Sequence, residues 1–404
     1  MSKPLDGVRV IDLSAFAAAA SCGRILGEWG ADVIKIEPIG GEAGRYAGAT
    51  LGLPSVPGAN PSFECNNAYK RGLALNLKSA SGMEVIHRLL QVSDVFLTNN
   101  RTRALEKLGL DYTSIHKKYP HIIWAQITGF GDKGPAADDA GFDPVAFWAR
   151  SGAMLDVAEK NTVPVLPPTG FGDRTTACSL AAGICAALYR KGRTGEGQKV
   201  TVSLFGQALW NAGEVVQSCQ YGDQYPKSRK EPVTPLVNSY QCSDEQWIFV
   251  SCYDYNRYIR VFCELIGRPE LADDHRFSTV KAAKENCASL VSFLEDGFRR
   301  YDRERWTVLL KEKDIPFSQV KHFADAVNDE QAIANGYVFP YSHRDGSTTV
   351  GTAVPAVFSE DSQTTYRNAP LLGEHSLEIL KDLDFGSDEI DAMLQAKDIV
   401  VTKY

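Results

Sequence analysis

Long hydrophobic runs are missing from the sequence. The longest stretch of apolar and small residues spans 180–188, contains a glycine, and falls well short of the roughly 20 residues that a bilayer-spanning helix requires. The chain also shows no apolar secretion segment or cleavage site before its first strand-like run at 8–13. We therefore expect a cytoplasmic protein that does not bind a membrane.

Paired cysteines and excess positive charge are missing as well. The nine cysteines are scattered without a CxxC pair, and no histidine lies at metal spacing from any two of them. We interpret them as reduced, mostly buried thiols and predict no metal site. A net charge of −7 and a pI near 5.6 argue against a nucleic-acid partner, which requires a basic face. Local basic residues remain available for a small phosphorylated ligand.

The composition is typical of a folded chain, with 44% apolar and 23% charged residues, and 404 residues are enough for two compact units. The patterns at 8–13, 15–29 and 33–36 predict a strand, a helix and a strand, which form a βαβ unit. Further strand patterns follow at 95–97 and 122–127. We predict an α/β fold with a Rossmann-like large domain, a mostly parallel sheet and a smaller α+β domain. The first turn lacks GxGxxG, so a nicotinamide cofactor is not expected.

Polar segments that contain proline indicate where the two domains meet. The segment 221–234 combines basic residues with two prolines, which is typical of a linker, and a second crossing is expected at 324–335. We assign 1–220 and 325–404 to the large domain and 235–324 to the small domain.

A glycine-flanked aspartate stands ahead of a helix rich in small residues. The segment 170–173 has the sequence GFGD and precedes a helical pattern at 177–191. The glycines allow a sharp turn, so we expect Asp173 at or just before a helix N-terminus, where free backbone N–H groups favour an anion. The simpler interpretation is an aspartate that caps the helix, the commonest role of Asp at such a place. Local sequence alone leaves both interpretations open.

Seven motifs along nearly the whole chain resemble those of the family III CoA-transferases, the CaiB/BaiF type. Each motif alone is weak, but their common order makes the set specific. The motifs are PLDGVRVIDL at 4–13, GADVIKIEP at 30–38, NAYKR and LNLK within 67–78, LGLDY at 108–112, TGFGDKGP at 128–135, RTGEGQKV at 193–200 and LLGEH at 371–375.

The resemblance implies a reaction and a nucleophile. In this family the aspartate after a small-residue and glycine pair, here Asp173, forms a mixed anhydride with the acyl group and then an aspartyl-CoA thioester. A second anhydride passes CoA to the acceptor acid. A carboxylate ionised at neutral pH needs no general base, so no catalytic histidine is expected. The resemblance implies that coenzyme A enters as substrate, that no prosthetic group is bound, and that two ring-shaped subunits interlock as a homodimer.

The resemblance also places contacts to CoA along the first half of the chain. Arg101 and Lys107 are chemically suited to phosphate groups, although a single basic residue is more often a solvated surface residue. The full set of expected CoA contacts is Ala18, Leu75, Leu77, Asn99, Asn100, Arg101 and Lys107.

Two departures from the formyl- and oxalyl-type members of the family argue against formate and oxalate as substrates. Those members carry Gln where this chain has Ala17, and they carry a glycine-rich flap where 225–240 contains no glycine. The segments 97–102, 147–152 and 397–401 instead resemble members that act on phenyllactate and 2-hydroxyisocaproate. We therefore expect an (R)-2-hydroxy acid as acceptor, in amino-acid fermentation.

Two other functions stay open. An α-methylacyl-CoA racemase would share the fold, but it needs an acid/base pair for proton transfer, and Phe142 stands where that group carries His. A phenyl ring cannot transfer protons. The second alternative is a CoA-binding protein without catalysis, in which Asp173 only caps its helix.

Overall fold

The computed structural model describes residues 3–359 and 366–402, in which strands and helices alternate along the first half of the chain. The strands are β1 Arg9–Leu13, β2 Asp32–Glu37, β3 Lys70–Leu75, β4 Val95–Thr98, β5 Ile123–Thr128, β6 Lys199–Ser203, β7 Val237–Gln241, β8 Trp247–Ser251, β9 Phe317–Gln319, β10 Val338–Ser342, β11 Thr348–Thr352 and β12 Ile399–Val400. The helices are α1 Ala18–Glu28, α2 Gly44–Ala47, α3 Pro61–Asn67, α4 Ala80–Val92, α5 Thr102–Leu108, α6 Tyr112–Lys118, α7 Ala153–Asp156, α8 Phe171–Thr194, α9 Leu204–Asn211, α10 Gly213–Cys219, α11 Tyr255–Leu265, α12 Val280–Glu285, α13 Cys287–Phe298, α14 Arg303–Glu312, α15 Glu330–Ala334, α16 Ser376–Asp382 and α17 Ser387–Gln395. A π-helical segment spans Asp143–Ala149.

The main sheet is mostly parallel. Its strand order is β12-β3-β2-β1-β4-β5-β6, and β12 runs antiparallel to β3 while the other neighbours are parallel. Buried apolar side chains stand in register, with Ile11 opposite Ile34 and Phe96. This is the order of doubly wound α/β folds, which bind ligands at the carboxyl ends of the strands where the order reverses, here between β1 and β4. The predicted Rossmann-like, mostly parallel sheet is confirmed.

The chain divides into two compact units. The first comprises Met1–Ala153, Leu166–Val216 and Glu330–Tyr404 and contains the main sheet; the second comprises Met154–Val165 and Gln217–Asp329. The sequence interpretation assigned the segment Met154–Val165 to the large domain, whereas it falls in the second unit. The predicted domain bounds and the ring-shaped dimer stay predictions.

The second unit has a core of its own. Its antiparallel sheet has the order β7-β8-β9, and apolar residues of this sheet pack with α11, α13 and α14. Stacked rings stand at the centre of this core: Phe298 lies 4.8 Å from Tyr240 and 4.4 Å from Trp306 between ring centroids. Strands and helices are therefore segregated in this unit, as in an α+β architecture.

Two helix starts differ from the sequence prediction, and both concern the candidate site. Helix α1 begins at Ala18 and not at 15, because Phe16 adopts a left-handed φ of 58° in the turn after β1. Helix α8 begins at Phe171 and not at 177, so Asp173 is the third residue of the helix. The residue before α8 is Gly170, whose φ of 71° is readily adopted only by glycine.

Within 3–359 and 366–402, every helix is too short or too polar to cross a lipid bilayer. No group of three or more His, Cys, Asp or Glu side chains is arranged to hold a metal ion in the same part of the chain. All nine cysteines are free thiols, and five of them are buried: Cys22, Cys242, Cys252, Cys263 and Cys287.

Candidate active site

A cavity of about 310 Å³ opens at the carboxyl ends of β1, β4 and β5 in the first unit. The turn after β1 contributes 15–18, the segment after β4 contributes 99–102, and the end of β5 contributes 127–129. Asp173 from α8 and Leu204 from the start of α9 also line it. The cavity therefore lies where the strand order reverses, the usual ligand site of doubly wound sheets.

Two asparagines fix the turn after β1. The side chain of Asn99 accepts a hydrogen bond from the backbone N–H of Ala15 at 2.9 Å and donates one to the carbonyl of Ala15 at 2.8 Å. Asn100 donates from its side chain to the carbonyl of Leu13 at 3.1 Å. These side chains bridge neighbouring strands and set the shape of the cavity wall.

A buried carboxylate holds Phe16 in its left-handed conformation. The N–H of Phe16 donates to Oε2 of Glu42 at 3.0 Å, and the same oxygen accepts the N–H of Gly44 at 2.6 Å. Oε1 of Glu42 lies 3.7 Å from Nζ of Lys35, which donates to the carbonyl of Ser14 at 2.6 Å. Backbone strain of this kind costs about 1–3 kcal/mol. The network around Glu42 offsets that strain and presents the Phe16 ring to the cavity.

Asp173 lines the cavity from the first turn of α8. The capping interpretation is wrong, because the N-cap of α8 is Gly170 and no side chain caps the helix. In the part of the chain that the structure describes, no group donates a hydrogen bond to the Asp173 carboxylate. Carboxylates removed from solvent normally have hydrogen-bond partners, so a half-buried one without a donor indicates a reactive group.

The pKa of Asp173 is raised to about 7. Burial is the largest cause, the negative charge of Asp143 adds to it, and Arg174 lowers it. At neutral pH the ionised fraction of this carboxyl is therefore lower than that of an ordinary aspartate. Once ionised, a more basic carboxylate is the better nucleophile.

A second cavity, of about 230 Å³, shares Asp173 with the first. Phe16, Ala17 and Phe142 line both cavities, and the Phe16 and Phe142 rings meet edge to face with centroids 5.5 Å apart. The other walls of the second cavity are largely apolar and include Ala47, Leu51, Phe63, Pro144 and Pro167. Asp173 thus lines both a cavity with polar side chains and a second cavity whose walls are mostly apolar but include the Asp143 carboxylate.

Asp143 is the second carboxylate of the site. It is 3% exposed, and its Oδ2 accepts the N–H of Gly172 at 3.1 Å. Burial raises the pKa of Asp143, while the backbone N–H groups of Gly172, Asp173 and Gly170 oppose the rise. A Cβ on Gly172 would lie 2.3 Å from Oδ1 of Asp143 and 2.4 Å from Cγ of Phe147. Only glycine therefore fits between the two carboxyl-bearing segments.

The sequence profile described as CoA-transferase family III matches residues 5–376. The chain belongs to this family. An (R)-2-hydroxy-4-methylpentanoate CoA-transferase from Clostridioides difficile is 40% identical over 400 residues, which cover 99% of this chain and 100% of that relative. A cinnamoyl-CoA:phenyllactate CoA-transferase from Clostridium sporogenes is 37% identical over 402 residues, 98% of each chain.

Solved structures of the family have the same fold. A CaiB/BaiF family protein from Brucella suis matches with a TM-score of 0.82 at 28% identity, and the match covers 95% of this chain and 100% of that one. The resemblance to family III CoA-transferases is therefore confirmed at the level of both sequence and fold.

Four of the CoA contacts expected from the resemblance to family III line the first cavity together with Asp173. Ala18 is a small side chain at the start of α1, and Arg101 is exposed at the start of the segment that leads into α5. Asn99 and Asn100 line the cavity as well, although their side chains are engaged with the backbone of the β1 turn. The structure thus groups these residues, and their contact with CoA stays a prediction.

The other three expected CoA contacts lie away from both cavities. Leu75 is fully buried in the core of the first unit, where β3 pairs with β12. Leu77 packs, partly buried, against the same core, and Lys107 is exposed in the last turn of α5. Core packing explains the leucine alternation at 73–77, and a role of these residues in CoA binding stays a prediction.

Three side chains of the site have no role in the sequence prediction: Phe16, Glu42 and Asp143. Each acts through a partner that is distant in sequence, 26 residues for Glu42 and Phe16 and 29 residues for Asp143 and Gly172. In the segment around Asp143, the sequence prediction used only Phe142, which it compared with the His of racemases. No local pattern predicts which carboxylate binds which backbone N–H.

Proposed function

We propose that this chain transfers CoA from an acyl-CoA to an (R)-2-hydroxy acid, with Asp173 as the covalent nucleophile. The observation that carries the proposal is the Asp173 carboxylate, without a donor among the described residues, at the junction of two cavities of different polarity. The first cavity suits the thioester end of CoA, and the second suits the side chain of an acid. Both substrates would then reach the same carboxylate in turn.

The proposed chemistry exchanges bonds at carbonyl carbons and transfers no proton. The Asp173 carboxylate attacks the donor thioester, the C–S bond breaks, and the CoA thiolate leaves, which gives a mixed anhydride. The thiolate attacks the Asp173 carbonyl and releases the donor acid as a carboxylate, which leaves an aspartyl-CoA thioester. The acceptor carboxylate then displaces the thiolate to form a second anhydride. Attack of the thiolate on its acceptor carbonyl gives the new acyl-CoA and the free Asp173 carboxylate.

Two features of the first cavity support binding of CoA. Ala17 and Ala18 have small side chains, so the turn after β1 leaves room for the pantetheine end beside Asp173. Arg101 is exposed and lines the same cavity, and its guanidinium suits a phosphate group of CoA.

The acceptor is proposed from the second cavity and from the names of the relatives. Those names give 2-hydroxy-4-methylpentanoate, which is 2-hydroxyisocaproate, and phenyllactate as acids. Both acids carry a large apolar side chain, and the second cavity has apolar walls that include Leu51, Phe63 and Pro167. Formate and oxalate have no side chain to bury there. The cavity therefore favours alkyl- or aryl-substituted 2-hydroxy acids.

Incubation in deuterated water distinguishes the three candidate functions. With an acyl-CoA donor and 2-hydroxyisocaproate, the proposal predicts 2-hydroxyisocaproyl-CoA as a new product, detected by mass spectrometry. With an α-methylacyl-CoA, it predicts no deuterium at the α carbon at a catalytic rate, because Phe142 cannot transfer a proton. A racemase would incorporate deuterium, and a non-catalytic CoA-binding protein would give neither signal.

The activity should depend on pH through Asp173. We expect kcat/KM for the acyl-CoA donor to rise with pH, with a midpoint near 7, because the free protein attacks only with the ionised carboxylate, whose pKa is about 7. Below the midpoint the value should fall about tenfold per pH unit. Initial rates between pH 5.5 and 9 test this, with recovery of full activity at pH 8 as the control. A profile that stays flat down to pH 5.5 contradicts a raised pKa.

We also propose that the protein is a cytoplasmic homodimer, as the resemblance implies. Large aromatic side chains are exposed on the first unit, with Tyr189 on α8 at 71% and Trp210 on α9 at 81%. Exposed apolar surface of this kind favours a protein interface. Sedimentation velocity should give twice the chain mass of 44.3 kDa, and a monomer at micromolar concentration contradicts the proposal.

A further inference from the structure

Asp143 is a buried carboxylate that the proposed bond exchanges do not use. It begins the π-helical segment and lines the second cavity together with Asp173. Its Oδ1 has no hydrogen-bond partner among the described residues, and no cation of the described chain forms an ion pair with it. A buried carboxylate with one oxygen that accepts no hydrogen bond destabilises the folded protein, which indicates a role beyond packing.

The N-terminus of α8 stabilises Asp143 and not Asp173. Free amides at a helix N-terminus normally favour a nearby anion and would lower the energy of an ionised Asp173. Here the N–H of Gly172 donates to Asp143 at 3.1 Å, and the N–H groups of Gly170 and Asp173 also favour the charged form of Asp143. Asp173 lies on the same turn and lines the same cavity, yet it gains none of these donors, and the negative charge of Asp143 raises its pKa.

We propose that Asp143 is a positioning residue. It accepts hydrogen bonds from the backbone N–H groups in the first turn of α8, and its negative charge repels the ionised Asp173 carboxylate. Loss of the Asp173 charge on acylation is therefore favoured. This inference rests on the proposed covalent role of Asp173. Attack of the Asp173 carboxylate on the donor forms a C–O bond, breaks the C–S bond, and moves the negative charge to the departing CoA thiolate. The neutral anhydride and thioester no longer repel Asp143, so both intermediates are stabilised relative to the free Asp173 carboxylate.

The other charged groups near the two carboxyls are few. Arg174 follows Asp173 on α8 and lowers the pKa of Asp173, against the effect of Asp143. Its Nη2 lies 3.1 Å from Sγ of Cys65, so its charge is directed partly toward α3. Arg101 and Asp139 line the first cavity, whereas the lining residues from α1, α3 and α9 are uncharged. Among these groups, Asp143 is the one that raises the pKa of Asp173 by its charge.

Asp143→Asn tests the proposal because it removes the charge and keeps the volume and an acceptor oxygen for Gly172. We expect the midpoint of the kcat/KM profile to move to lower pH by about one unit, because Asp173 then ionises more readily. We also expect less Asp173 to be recovered as hydroxylamine-sensitive adduct at equilibrium with excess acyl-CoA. Asp143→Ser, which keeps a hydroxyl acceptor, is the second variant and should move the midpoint in the same direction.

Asp138→Asn is the matched control. The Asp138 carboxylate precedes Asp143 in the same segment, is ion-paired with Arg103 at 2.7 Å, and lines neither cavity. The kcat/KM profile of this variant should therefore have the same midpoint as that of the unmodified protein. Folded Asp143 variants that lose activity with an unchanged midpoint would show a merely structural role and overturn the inference. Retained activity in Asp173→Asn would instead overturn the proposed function, and the two failures are therefore distinguishable.

Discussion

Replacing Asp173 by asparagine should abolish CoA transfer, with a loss in kcat of at least about 10⁴-fold. The amide has the same shape but is a poor nucleophile. Among the described residues, Asp173 is the only carboxylate that lines both cavities, so no other can replace it. Asp173→Ala should be equally inactive. Steady-state rates with purified variants and one acyl-CoA donor measure the loss, and Asp138→Asn serves as a control with full activity.

The covalent adduct gives a direct assignment of the nucleophile. After incubation with an acyl-CoA, hydroxylamine should convert the Asp173 carboxyl to a hydroxamate, and borohydride should reduce it. Peptide mass spectrometry should find this change at Asp173 in the unmodified protein and nowhere in Asp173→Asn. Full activity of either Asp173 variant, or an adduct on another residue, would remove Asp173 from the mechanism.

Stability measurements on the same variant separate loss of chemistry from loss of fold. The pKa of the Asp173 carboxyl is about 7 in the folded protein and 3.8 in its ordinary state, so its ionisation is less favourable in the folded chain. This penalty is absent below about pH 4 and grows until the pH passes 7. Asparagine carries no such penalty. The melting temperature of Asp173→Asn should therefore exceed that of the unmodified protein at pH 8 and match it at low pH.

The centre of the sheet was predictable because its central strands are buried on both faces and form apolar runs in the sequence. The runs around Val10, Ile34 and Phe96 correspond to β1, β2 and β4, which lie side by side in the main sheet. The start of α8 was not predictable from the apolar pattern alone. The turn at 171–176 contains polar residues, and the helix begins there because Gly170 adopts a left-handed φ.

Of the candidate site, the sequence could predict the nucleophile but not the contacts that set its chemical state. The family motifs indicated Asp173, but its chemical state depends on Asp143, whose partner Gly172 lies 29 residues away. Composition also gave no sign that Glu42 holds the strained Phe16, because that contact depends on the path of the chain after β2. Long-range pairing of charges with backbone N–H groups follows from tertiary structure, and no local pattern encodes it.

The acceptor acid should be selected by the size of its apolar side chain. Compared with lactate, 2-hydroxyisocaproate carries three more carbon atoms, and burial is worth about 0.8 kcal/mol for each CH₂ group. Complete burial would favour it by about 2.4 kcal/mol, and partial exposure at the cavity mouth reduces this figure. We expect a preference of more than about tenfold in kcat/KM for 2-hydroxyisocaproate or phenyllactate over lactate. Rates with one common CoA donor measure it, with formate and oxalate as the weakest acceptors.

Filling the second cavity should erase this preference. Ala47 lines that cavity, and Ala47→Leu would occupy the space that the acid side chain needs. We expect this variant to lose activity with 2-hydroxyisocaproate by at least about tenfold while lactate is affected less, because the smaller acid still fits. Ala43→Leu, an exposed position outside both cavities, is the matched control and should keep the original order of acceptors. If formate or oxalate is the best acceptor, or if Ala47→Leu leaves the order unchanged, the second cavity does not hold the acid side chain, even if Asp173 remains the nucleophile.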